Sequence, residues 1–88
     1  MTELERIAFG RLLLDARASL TVRDPLLRST PLAWACRWNR HELVELLSAR
    51  GAPVDEPDAE PWATPLAWAT KLGHDDLADL LRGRGAVV

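Results

Sequence analysis

The chain has 88 residues, of which 48% are hydrophobic and 27% charged, a composition typical of one small globular domain. Its formal net charge of −2 provides no overall field favouring nucleic acid or an anionic membrane, so neither is expected as a partner. The single cysteine excludes an internal disulfide, and the longest apolar run near the N-terminus, residues 12–14, is far too short for a signal peptide or a membrane span. These features predict a cytoplasmic protein.

The first predicted element is a helix over residues 3–16. Its apolar positions at helical spacing are Leu4, Ile7, Ala8, Leu12 and Leu13. Gly10 lies inside this helix and should cost about 1 kcal/mol relative to alanine, so a close neighbour is expected to need the space.

After a connector over residues 17–29, the motif Thr-Pro-Leu-Ala-Trp-Ala appears at 30–35 and again at 64–69. An identical motif 34 positions apart indicates a solenoid of stacked repeats. Thr can cap a helix and Pro can take its first position, so each copy predicts a helix that starts at the proline. The first copy predicts helices from residue 31 to about 38 and over 41–49, and the second copy predicts helices from 65 to a turn at Gly73 and over 75–82.

The second connector, residues 52–63, contains three prolines and a cluster of four acids. The acids are Asp55, Glu56, Asp58 and Glu60. This cluster favours a basic segment in a binding partner.

The unit of helix, tight turn, antiparallel helix, glycine stop and extended loop resembles the ankyrin repeat, with its Thr-Pro-Leu-His-x-Ala, Gly-His, Leu-Leu and Gly-Ala signature. The matching residues of the first copy are Thr30-Pro31-Leu32, Ala35, Leu46-Leu47 and Gly51-Ala52. Those of the second copy are Thr64-Pro65-Leu66, Ala69, Gly73-His74, Leu80-Leu81 and Gly85-Ala86. Residues 9–24 are similar to the back half of an earlier copy, with Leu12-Leu13, Ala18 and Asp24 at the matching positions.

The resemblance, which is to a short bacterial-type ankyrin repeat protein, implies an all-α solenoid of stacked antiparallel helix pairs joined by extended hairpin-like loops. It implies a single domain over 1–88, with a partial N-terminal repeat (1–29), a full repeat (30–63) and a C-terminal capping repeat (64–88). The signature histidine is replaced by Ala33 and Ala67, so its usual hydrogen bonds to the neighbouring loop are expected to be absent.

Few residues could carry catalytic or metal chemistry: Cys36, His41 and His74 are the only cysteine and histidines. Cys36 falls on the inner side of a predicted helix, where a buried thiol is inert. His74 occupies the Gly-His turn and is expected to bond the backbone there. These three scattered residues cannot close a zinc site, and no phosphate-binding glycine loop or nucleophile elbow is present. The sequence therefore predicts no enzyme, no metal site and no cofactor.

The four tryptophans divide into two classes. Trp34 and Trp68 lie within the motif and are expected to form the stacked core. Trp38, at a helix end beside an arginine, and Trp62, in the loop before the motif, have the character of binding hot spots. The alternative is that Trp38 leans on Leu72 of the next repeat and that Trp62 folds over its own loop.

The resemblance implies a non-catalytic adaptor that binds a protein partner of unknown identity. The groove residues predicted to contact it are Arg37, Trp38, Lys71 and Leu72. The second row of contacts, on the loops, is predicted to be Arg23, Leu26, Pro57, Glu60 and Trp62. Nucleic-acid binding by the arginines is a weaker alternative, because the net charge is negative.

A further alternative is a structural end module, because the two ends of the repeat stack differ. The apolar Ile7 and Leu14 of the first helix become the polar Asp75 and Arg82 at equivalent positions of the last. The first helix is therefore expected to offer an open apolar face to a second copy in a homodimer, to a partner or to further repeats. The candidate residues of this face are Leu4, Ile7 and Leu14, with Phe9 as a possible addition. The opposing alternative is that the helix buries these residues itself.

Overall fold

A computed structural model describes residues 2–15 and 19–86. Within them lie five α-helices and no β-strand: α1 (Glu3–Asp15), α2 (Pro31–Arg37), α3 (His41–Ala49), α4 (Pro65–Lys71) and α5 (Asp75–Gly83). The pairs α2–α3 and α4–α5 stack through their first helices, because α2 packs against α4, and α1 packs on α2. This confirms the predicted all-α stack of helix pairs. Ala18, matched to an ankyrin position above, lies outside the described residues.

The two motif helices begin in the same way. The Thr30 hydroxyl accepts a hydrogen bond from the Ala33 backbone N–H at 3.2 Å, and the Thr64 hydroxyl accepts one from Ala67 at 3.0 Å. A proline follows each threonine at the first helical position, where no backbone donor is needed. The repeated Thr-Pro therefore sets the start of both α2 and α4.

The turns inside the two pairs are also equivalent. Gly73 has a φ of 75°, and Asn39 takes the same place in the preceding repeat with a φ of 56°. Asparagine tolerates this left-handed region better than most residues. The departure from the Gly-His signature at this position therefore leaves the turn intact.

The core between the stacked pairs is formed by fully buried aliphatic side chains. They include Leu32, Val44, Leu77 and Leu81. Leu46, although part of the Leu-Leu pair, does not join this core, because its side chain is 50% exposed while Val44 and Leu47 are buried. A helix turns by about 100° per residue, which carries Leu46 away from the face that holds Val44 and Leu47.

Helix α1 presents a different face to the core from the one expected. Glu5, Phe9 and Leu12 are buried, whereas Leu4 and Leu13 are exposed. The ring of Phe9 stacks on a buried indole of α2 with ring centroids 5.7 Å apart, which fixes the rotation of α1. The inclusion of Phe9 in an open face was therefore wrong.

The proposed open face itself is exposed. Leu4 is 71% and Leu14 65% accessible, and Ile7 is half exposed. The alternative in which α1 buries these three side chains within the chain is wrong.

Gly10 lies on the exposed side of α1, and a Cβ built on it meets no atom within 4 Å. The expected close neighbour is not there. We predict that Gly10→Ala stabilises the domain by about 0.5–1 kcal/mol through helix propensity. Gly51→Ala is the matched control, because its φ of 96° should make alanine cost about 1–2 kcal/mol. Urea unfolding measures both, and a destabilising Gly10→Ala would contradict the observed packing of α1.

Candidate functional site

The two motif tryptophans both bond the loop over residues 19–29 through their indole nitrogens. Trp34 is fully buried and donates from Nε1 to Asp24 Oδ1 at 2.6 Å, and Trp68 donates from Nε1 to the Ser29 hydroxyl at 2.9 Å. The side chain one position after the missing histidine therefore supplies a hydrogen bond to the loop in each repeat. These indole bonds take the place of the hydrogen bonds expected from the signature histidine.

Asp24 determines the conformation of this loop, residues 19–29. Besides the indole, its carboxylate accepts the backbone N–H of Leu27 at 2.7 Å and of Ser29 at 3.1 Å. Three donors thus converge on one buried carboxylate, which fixes the loop against α2.

The exposed neighbourhood of Trp68 combines aromatic rings and cations. The Arg37 guanidinium lies 4.6 Å and the Lys71 ammonium 5.5 Å from the centre of the Trp68 ring. Trp62 meets the same ring edge-on at 6.1 Å, and Arg37 also lies 5.4 Å from the Trp38 ring. We call Arg37, Trp38, Trp62, Trp68 and Lys71 the tryptophan surface.

The members of this surface differ in exposure. Trp62 is 45% accessible and Lys71 is exposed, whereas Arg37 and Trp38 are half-buried. Leu72, which caps the end of α4 next to Lys71, is also exposed. Three of the predicted groove and loop residues therefore surround the buried Trp68 ring: Arg37, Lys71 and Trp62. Trp38 lies beside Arg37.

Arg37 forms an ion pair with Glu5, an acid that was not predicted as part of the site. Its Nε and Nη2 lie 2.8 and 2.7 Å from Oε1 of Glu5, whose Oε2 accepts the Thr2 hydroxyl at 2.9 Å. Burial alone would raise the pKa of Glu5, but the hydrogen bonds from Arg37 and Thr2 and the charge of Arg37 outweigh it and lower the pKa below its ordinary value. The pair ties α1 to α2. The sequence feature that could have indicated this pair is the placement of Glu5 four residues before Phe9, which puts both side chains on the same face of α1.

Trp38 lies against the N-terminal aromatic cluster. It packs on the group formed by Phe9, Leu12 and Trp34, and its Nε1 is buried with no hydrogen-bond acceptor among the described residues. Its indole is therefore anchored on one side and carries an unused donor.

Ion pairs connect the acids of the second connector to arginines of the first connector. Glu56 is buried and accepts the Thr30 hydroxyl at 2.6 Å and Arg23 at 3.3 Å, while Asp58 lies 3.5 Å from Arg23. Glu60 pairs with an exposed arginine at 3.4 Å. Glu56, Asp58 and Glu60 are therefore held by residues of the preceding loop. Leu26 and Pro57, the remaining loop residues predicted to bind a partner, are exposed.

Glu56 gives the domain a pH dependence of known sign. Burial raises the pKa of Glu56 above its ordinary value of 4.5, and the hydrogen bond from Thr30 and the charge of Arg23 only partly offset this effect. The folded state therefore binds the proton more tightly, and the contribution of Glu56 to stability is lost as pH rises through its raised pKa. We predict that the wild type loses stability relative to Glu56→Gln as pH rises from 4.5.

Unfolding free energies of the two proteins measured at a series of pH values give the difference directly. Comparing the two variants cancels the opposite effect of Glu5, whose stabilising pair is lost as pH falls. A difference that is constant with pH would contradict the burial of a charged Glu56.

Two of the three candidate catalytic residues, Cys36 and His74, are buried or bonded to the backbone. Cys36 is fully buried, and burial together with the nearby charge of Glu56 raises the pKa of its thiol far above the ordinary value. His74 Nε2 lies 3.1 Å from the Arg37 carbonyl oxygen, so it bonds backbone as predicted, but in the preceding repeat.

The described part of the chain, residues 2–15 and 19–86, contains no group of three or more His, Cys, Asp and Glu side chains arranged to hold a metal ion. Nor does any helix there have the length and apolar character needed to cross a membrane.

The family assignment follows from a sequence-wide match. The family model for ankyrin repeats (3 copies) matches residues 5–88, whereas no curated protein matches the sequence significantly. Ankyrin repeats are generally modules of protein–protein interaction and are typically non-catalytic. With its stacked helix pairs and this match over nearly all of its length, the chain belongs to the ankyrin repeat family.

Proposed function

We propose that the tryptophan surface binds a protein partner and that the chain acts as a non-catalytic adaptor. The observation that carries this proposal is the exposure of Trp62 at the edge of the Trp68 ring, beside Lys71 and the half-buried Arg37. Tryptophan and a basic residue at one solvent-accessible spot are the usual composition of a binding hot spot. The rigid indole below them would let a partner bind without ordering the surface first.

Peptides selected from a random display library on the wild-type chain provide the test. Trp62→Ala should weaken their binding by at least tenfold, because a hot-spot truncation costs more than about 1.4 kcal/mol. Leu46→Ala is the matched control, an equally exposed apolar side chain on the outer helix α3. Fluorescence anisotropy gives the two affinities, and equal losses at both positions would place the binding site elsewhere.

A second candidate function is self-assembly or end-to-end packing through α1. Its support is the exposure of Leu4, Ile7 and Leu14 on one side of a helix. A groove of about 360 Å³ between α1 and the loop at Pro25 and Leu26 extends this apolar face. Apolar faces of this size on an otherwise polar surface usually mark interaction sites.

Light scattering during gel filtration tests this second function. The double variant Ile7→Lys plus Leu14→Lys should convert an assembled wild type into monomers, and its unfolding free energy should match that of an isolated wild-type monomer. A wild type that is monomeric at high concentration would contradict self-assembly.

A further inference from the structure

The unused hydrogen-bonding groups of the tryptophan surface are donors. The Lys71 ammonium makes no ion pair or hydrogen bond with any described residue and lies 5.5 Å from the centre of the Trp68 ring. Arg37 directs Nε and Nη2 to Glu5 and leaves Nη1 without an acceptor in the described chain. The buried indole N–H of Trp38 is a third donor without an acceptor there. A ligand that forms hydrogen bonds with these donors must supply hydrogen-bond acceptors.

Two carboxylates in the same region are already paired. Both carboxylate oxygens of Glu5 accept hydrogen bonds, from Arg37 and from Thr2. Glu60, in the loop next to Trp62, pairs with Arg28. The acids of the second connector, which suggested a basic partner, therefore contribute little free negative charge near this surface, and Lys71 determines its local sign.

The cations are also arranged in register with the repeats. Arg37 and Lys71 occupy the same position in consecutive repeats, 34 residues apart, and both lie over the Trp68 ring. A segment that crosses the stack along this line meets one cation from each repeat and the exposed Trp62 beside them. An extended peptide that carries carboxylates and an apolar side chain is complementary to this line of two cations and one exposed indole.

We propose that the partner segment is extended and acidic, with Asp or Glu adjacent to an aromatic or aliphatic residue. The carboxylate pairs with Lys71, and the apolar side chain packs on Trp62. This inference rests on the proposed binding function of the tryptophan surface and specifies the chemistry of its partner. A basic segment would instead place like charge against Lys71, the cation of this surface without an ion pair among the described residues.

The probe is a displayed library of random 12-residue peptides, followed by fluorescence anisotropy with the selected synthetic peptides. The wild type should enrich peptides that join Asp or Glu to Trp, Phe or Leu, and their affinity should fall as salt is added. Lys71→Glu should weaken them at least tenfold and should enrich basic peptides when it is itself used for selection. Arg50→Glu, the same charge reversal at an exposed residue ending α3, should leave the affinity within about twofold, which is the scale of a screened distant charge.

The other outcomes separate the two proposals. Basic peptides that lose affinity at Trp62→Ala would overturn the acidic partner and retain the surface. Peptides that respond to neither Trp62→Ala nor Lys71→Glu would overturn both. A 20-nucleotide oligothymidine that binds the wild type and is lost with Lys71→Glu would assign the surface to nucleic acid and overturn the acidic segment.

Discussion

Asp24→Ala is expected to destabilise the domain by about 3–5 kcal/mol, because it removes the acceptor of three hydrogen bonds and leaves their donors buried. The carboxylate is only 5% exposed, so water does not replace it. Asp58→Ala is the matched control: it lies 34 positions later, its side chain is 85% exposed, and it should cost less than about 0.5 kcal/mol. Urea unfolding measures both, and similar losses would show that Asp24 does not organise the loop.

Trp34→Ala is expected to lower the free energy of unfolding by about 3–5 kcal/mol, because the side chain is fully buried. The substitution removes the ring that Phe9 stacks on and should loosen α1 from α2. Trp34→Phe keeps an aromatic ring but loses the indole donor and part of the buried ring volume, so it should cost more than the loss of a hydrogen bond to a charged group alone, about 1.5–3 kcal/mol. Near-ultraviolet circular dichroism and urea unfolding of the two variants measure the loss of aromatic packing and of stability.

These two residues should not act independently. Trp34 Nε1 and Asp24 Oδ1 are joined by one hydrogen bond. The double variant Asp24→Ala plus Trp34→Phe should therefore lose less unfolding free energy than the sum of the losses in the two single variants. A coupling energy of about 1 kcal/mol is expected for residues in such direct contact. Additivity to within about 0.3 kcal/mol would contradict a bond of this strength in solution.

The repeated hexapeptide and the flanking residues that recur at the same spacing were sufficient to predict the fold. Thr30 and Thr64 cap their helices, and Gly51 and Gly85 adopt the positive φ expected of residues that end a helix. These are local properties, since each depends on residues within one turn of helix. That locality is why the predicted helix bounds agree with the structure to within one or two residues.

The features that sequence reasoning missed depend on distant contacts. Glu5 and Arg37 are 32 residues apart, and Glu56 meets Arg23 across 33 residues. A pattern of charges along the chain does not reveal which acids and bases neighbouring loops will bring together. For this reason the acidic connector suggested a basic partner, although its carboxylates lie beside arginines of the same chain.

The candidate site was predicted in part. The exposure of Trp62, Lys71 and Leu72 agrees with their predicted place on an accessible face. Their role in binding stays a prediction, as does that of Arg37 and Trp38, which are half-buried. The motif does not specify ring orientation, so the central position of Trp68 under two cations could be found only from the structure.

The four indole N–H signals in a proton–nitrogen correlation spectrum provide the most direct test of the tryptophan surface. On titration with a peptide selected on the wild-type chain, the Trp62 signal should move most, and that of Trp38 should move with it. The Trp34 signal should stay in place, because its donor is bonded to Asp24 inside the core. If Trp62 and Trp38 stay fixed while amides of the outer helices α3 and α5 shift, the tryptophan surface is not the binding site.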